Sequence, residues 1–88
     1  MSKNKIVLSS LAMDLKRVAL AYHRGSDKVA ERFMVETKRW IKELDYATVP
    51  KYIDRIIYNI NNLTTEDKAK VAEDSLMYST LIQNYITV

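Results

Sequence analysis

The chain has 88 residues, a formal net charge of +3 and no cysteine. A chain of this length makes one domain, residues 1–88, with a modest core. Without thiols it can form no disulfide, cysteine nucleophile or Cys-based metal site, which fits a cytoplasmic protein; at 48% hydrophobic residues it is too apolar to be disordered.

The segment from Lys3 to Met13 has the look of a signal peptide. However, Ser9 and Ser10 interrupt its apolar run, and Asp14, Lys16 and Arg17 follow at once. It reads instead as a flexible start leading into a helix. That first helix is predicted from about Ser9 to Arg24. Leu8, Leu11, Ala12, Leu15, Val18, Ala19 and Tyr22 recur at helical spacing and form its apolar face. Met13 and Leu20 fall outside this face, beside Lys16, Arg17, His23 and Arg24. They predict either a wider buried face or a contact for a partner.

Gly25, the one glycine in the chain, breaks the helix, and the short turn Gly25-Ser26-Asp27 predicts an antiparallel neighbour. The second helix is predicted over Ser26–Leu44, with Ser26 as N-cap and Asp27 at the positive end of the helix dipole. Stepping 100° per residue puts Val29, Ala30, Phe33, Met34, Thr37, Trp40, Ile41 and Leu44 on one broad face, with Phe33 and Trp40 as core anchors. The opposite face carries Lys28, Arg32, Lys38, Arg39 and Lys42, with Val35 and Glu31 among them. These five cations are the candidate nucleic-acid-binding residues.

A third helix is predicted from near Thr48, with Pro50 in its first turn. Its apolar face is Val49, Ile53, Ile56, Ile57 and Ile60, flanked by Tyr52 and Leu63, with Tyr58 pointing away. A fourth is predicted after Thr64 or Thr65, where Thr64-Thr65-Glu66-Asp67 supplies a cap and two acids, and runs to about Ile86. It carries two apolar stripes. Ala69, Ala72, Leu76 and Ser79 make a small-residue stripe; Val71, Tyr78, Leu81, Ile82 and Tyr85 make a bulkier one. One reading packs the small stripe inside the bundle and leaves Tyr78, Ile82 and Tyr85, together with Met13 and Leu20, as partner-binding residues. The competing reading makes the bulky stripe the core. The predicted fold is all-α, a single-domain four-helix bundle with antiparallel neighbours.

Charge is divided unevenly. Residues 1–44 hold ten Lys or Arg against five Asp or Glu, whereas residues 45–88 hold four against six. The basic half suits nucleic acid or an acidic protein. His23 is the one histidine, without clustered acids, and makes a poor metal site. Glu66, Asp67, Glu73 and Asp74 sit where a helix favours acids and lack a second acidic helix to complete a cation cage. With one Gly there is no phosphate-cradling loop, and no cofactor is expected. No apolar run is long enough to span a bilayer. A helix-turn-helix over Val18–Ile41 would place Glu31 at a buried position. No catalytic residue is assigned, and the chain reads as a non-enzyme.

Taken whole, the chain loosely resembles the smallest accessory subunit of the crenarchaeal B-family replicative DNA polymerase holoenzyme. The resemblance lies in size, helical pattern, the Lys/Ile/Tyr-rich, Cys-free composition (which also leans toward a thermophilic source) and the basic Lys28–Lys42 face. It implies a non-catalytic accessory subunit that binds a larger protein, a polymerase, and supports DNA replication. Two other classes compete. Arg17 and His23 form an R-x5-H spacing similar to the Arg/His signature of HEPN ribonucleases, where the pair engages a phosphate and assists cleavage by the RNA 2′-OH. A small homodimeric antitoxin or phage-type regulator is the third reading, with a second copy as the partner.

Overall fold

Helix α1 (Lys3–His23) is the axis of the molecule, packing along its length against both α2 (Asp27–Lys42) and α4 (Lys68–Thr87). The shorter α3 (Lys51–Asn61) closes the side between them and meets α4. The computed structural model describes residues 3–63 and 66–87, and in them the chain is an all-α four-helix bundle of 36 × 22 × 20 Å.

The α1 face read from the sequence is buried in full, together with Val7, Ala21 and Asp14. The helix nevertheless begins at Lys3, six residues before the expected start. Asn4 accounts for the extension. Its side-chain amide donates to the Asp45 carbonyl at 2.9 Å and to Thr48 Oγ1 at 2.6 Å, and its carbonyl accepts from the Asp45 amide at 2.9 Å. Val7 and Leu8 are buried on the next turn. The expected flexible start is therefore a helical turn clamped to the α2–α3 connection.

Gly25 (φ +79°) ends α1 in a Schellman motif, in which the Ser26 amide bonds the Ala21 carbonyl at 2.8 Å and the Gly25 amide that of Tyr22 at 3.1 Å. Ser26 occupies the N-cap of α2, but its side chain makes no capping bond. Asp27 instead forms a close ion pair with Lys68, tying the start of α2 to that of α4. Val29 is 39% exposed, and Phe33 and Trp40 are half-buried rather than enclosed. The indole needs a polar partner, and Trp40 Nε1 donates to Asp14 Oδ2 at 3.0 Å across the α1–α2 seam.

Tyr46–Thr48 forms a 3₁₀ turn that Asp45 caps through Ala47 N. Pro50 is the N-cap of α3, one position outside the helix, with Val49 extended before it as a pre-proline residue prefers. Ile53, Ile56, Ile57 and Ile60 are buried and Tyr58 points out, as read.

Helix α4 resolves the two-stripe problem in favour of neither stripe alone. Its buried line is Val71, Ser75, Ser79 and Ile82, with Tyr78, Tyr85 and Ile86 packed against the core. Ala69 and Leu76 are exposed. Of the bulky stripe, Val71, Tyr78, Ile82 and Tyr85 thus lie at the core while Leu81 is 42% exposed, and the serines let α4 approach α1 closely enough for Ser79 Oγ to donate to the Ala12 carbonyl at 2.6 Å. Asp67 caps α4 through Lys70 N; the expected caps Thr64 and Thr65 lie outside the described residues.

Candidate interaction surfaces

The α2 outer face is built as expected. Lys28, Arg32, Lys38, Arg39 and Lys42 are all exposed. Lys28, Arg32, Val35, Arg39 and Lys42 follow one another at alternating steps of four and three residues, a single row of about 21 Å. Val35 stands 67% exposed in the middle of it. Arg39 is held in place by Glu36 at 2.7 Å and by stacking over the Trp40 ring at 5.3 Å. Its charge is therefore partly countered, whereas its orientation is set.

The residues expected to bind a partner fall into two groups. Ile82 has no exposed surface, so it is a core residue and cannot meet another molecule. Tyr78 and Tyr85 pack on the same core cluster and are half-buried, and Tyr85 makes an edge-on contact with Tyr52 at 5.8 Å. Large apolar side chains on a helix with a single inward face were bound to compete for that face, and the tyrosines keep only their outer edges in solvent. Met13 and Leu20 are 53% and 48% exposed, so the wider buried face that they could have formed is absent and both side chains stand at the surface. Sequence reading missed Ile6, which is 51% exposed; its spacing of seven residues from Met13, and of Met13 from Leu20, was the available signal.

Arg17 and His23 do not converge. They stand six positions apart, about 120° around α1. Arg17 is bound to Asp14 Oδ1 at 2.8 Å and lies over the Phe33 ring at 5.6 Å, while His23 is exposed at the helix end. Among the described residues no group of three His, Cys, Asp or Glu is placed to hold a metal ion. Asp67 is used as a cap and Asp74 pairs with Lys70. The bond and charge of Asp27 push the Lys68 ammonium above its ordinary range. No helix among the described residues is long and apolar enough to cross a membrane.

Set against protein-family models, curated proteins and solved structures, the chain matches none. The functional reading therefore stands on the surfaces themselves.

Proposed function

We propose that this chain is a small non-catalytic helical subunit of a nucleic-acid-processing assembly, with α2 as the helix laid against the phosphate backbone. The observation that carries the reading is the exposed basic row of α2, fixed to the bundle on its opposite side through Met34, Thr37 and Ile41. A rigid helix with cations over about 21 Å covers roughly six phosphate steps of one strand at about 3.4 Å each. Lys and Arg in such a row contact phosphates and carry no base information, so the contact positions nucleic acid without reading its sequence. The resemblance to a polymerase accessory subunit points the same way, with the larger protein supplying the chemistry.

Fluorescence anisotropy of labelled oligonucleotides across a salt series tests this. With about four phosphate contacts, log K should fall against log salt with a slope near −3.6, equally for permuted sequences. The double variant Lys28→Glu, Arg32→Glu should weaken binding at least tenfold. A strong base preference, or binding indifferent to this charge reversal, overturns the reading. RNA cleavage that disappears in His23→Ala would replace it with the ribonuclease reading.

A further inference from the structure

We propose that the nucleic acid laid along α2 is single-stranded, and that its unpaired bases stack on two arginines held over the aromatic rings of the α1–α2 seam. The inference rests on the phosphate reading of α2 and supplies what that reading lacks, a contact for the bases.

Phe33 and Trp40 stand seven residues apart on the side of α2 that meets α1, about 10.5 Å along the axis. Neither ring is enclosed by the core; each is half-buried and carries a guanidinium over it. Arg17 of α1 lies 5.6 Å from the Phe33 centroid, and Arg39 lies 5.3 Å from that of Trp40. A carboxylate holds each guanidinium in turn, Asp14 bonding Arg17 at 2.8 Å and Glu36 bonding Arg39 at 2.7 Å. Asp14 is itself fixed, since it also accepts from Trp40 Nε1 at 3.0 Å. The two units are built alike, although one arginine comes from α1 and the other from α2. Their side chains keep 48% and 64% of their surface in solvent, so each guanidinium stays open to a ligand on the side away from the ring.

An arginine already paired with a carboxylate has little charge left for a phosphate. What it keeps is a planar, delocalised and weakly hydrated surface, which stacks on the π-face of a base. Cations for the backbone stand beside it: Lys28, Arg32 and Lys42 are exposed along the α2 row, and Arg39 belongs to that row as well as to the Trp40 stack. A strand whose phosphates follow the row therefore turns its bases toward the seam. The spacing fits, because about 10.5 Å is three stacked base steps of about 3.4 Å each. In a duplex both faces of every internal base are covered by neighbouring pairs, so a duplex can offer this surface only its phosphates. Every base has a π-face, so stacking adds affinity without sequence preference. Base face and phosphate are common to DNA and RNA, which makes the two one class of ligand here.

Four probes of about 12 nucleotides test this by anisotropy: one mixed sequence as single-stranded DNA, as RNA and as duplex DNA, and an abasic strand of equal length and charge. The DNA and RNA single strands should bind alike, and each about fivefold or more tighter than the duplex and the abasic strand. Trp40, the one tryptophan, should lose emission on binding the single strands but not the abasic one. The double variant Arg17→Lys, Arg39→Lys keeps both charges and loses both planar surfaces. It should weaken single-strand binding by about tenfold, leave abasic binding and the salt slope unchanged, and retain the helical circular dichroism. Abasic or duplex probes that bind as tightly as the single strands overturn the inference, as does a lysine variant that binds them like the parent. Those results leave the phosphate contact of α2 standing, because its salt slope and its response to charge reversal at Lys28 and Arg32 are read separately. Absence of binding to all four probes overturns both.

Discussion

Tyr22 shows how one side chain carries a cost that the fold absorbs. Its ring fills the upper core with Val18, Met34 and Val71, yet its hydroxyl is buried without a hydrogen-bond partner among the described residues. Burial first, then the Glu31 and Asp27 carboxylates, raise its pKa above the ordinary tyrosine value, with Lys68 opposing them. The folded state thus holds this proton more tightly than the unfolded chain does. The corresponding stability is intact below pH 10 and declines as pH climbs past the unfolded value toward the folded one. Lys68, raised by Asp27, titrates in the same direction. Tyr46, raised by burial and then Asp54, does so too, but its hydroxyl donates to the Ile41 carbonyl at 3.0 Å and so has a use. Tyr22→Phe should therefore be neutral or stabilising by up to about 1 kcal/mol at pH 7. It should also flatten the fall in stability above pH 10. Urea melts at pH 7, 10 and 11 decide this, and an unchanged alkaline slope in Tyr22→Phe would refute it.

At the scale of the element, legibility followed the clarity of the apolar pattern. In α1 and α3 the large aliphatic residues outnumber alternatives on one face, and the structure buries the predicted α1 face and the four isoleucines of α3, with Val49 before the helix only partly covered. In α4 two stripes of similar apolar content compete, and the deciding residues, Ser75 and Ser79, are polar. They are inside because they are small, a requirement of helix–helix distance that no hydrophobicity pattern expresses. The α1 start was hidden for a different reason: Asn4 finds its partners 41 and 44 residues away, so nothing local marks it as ordered. Asn4→Ala removes three hydrogen bonds at an exposed site. It should cost about 1–2 kcal/mol and raise amide exchange in the first two turns of α1 while leaving Val18–His23 protected. Equal loss of protection along the whole helix would show that the first turns do not open separately. The surface residues were legible in part. The α2 cations could be read directly, because nothing else competes for that face. Ile6 was missed, since it lay in a segment read as flexible.

Across the whole molecule, the core is not continuous. A lower cluster gathers Leu8, Leu11, Leu15, Ile41, Ile82 and the α3 isoleucines, and an upper one gathers Val18, Tyr22, Ala30, Met34 and Val71. Between them, at mid-height, run the buried polar residues Asp14, Thr37, Ser75 and Ser79, contributed by α1, α2 and α4. Two of the four are satisfied. Asp14 accepts from Trp40 and Arg17, and Ser79 donates to Ala12. Those bonds hold α1 in register with α2 on one side and α4 on the other, since sliding either helix by a turn would strand a buried polar group. The hydroxyls of Thr37 and Ser75 find no hydrogen-bond partner among the described residues, so they cost desolvation without tying one helix to another. The two kinds of polar residue should separate under mutation. Thr37→Val preserves shape and Ser75→Ala removes one atom, so each should stabilise by up to about 1 kcal/mol, and the pair should be close to additive. Asp14→Ala strands the Trp40 N–H and should cost about 2–3 kcal/mol. Denaturant midpoints at constant m-value measure all four variants. If Thr37→Val and Ser75→Ala destabilise as Asp14→Ala does, the belt works as one connected network rather than as two bonded residues and two unbonded ones.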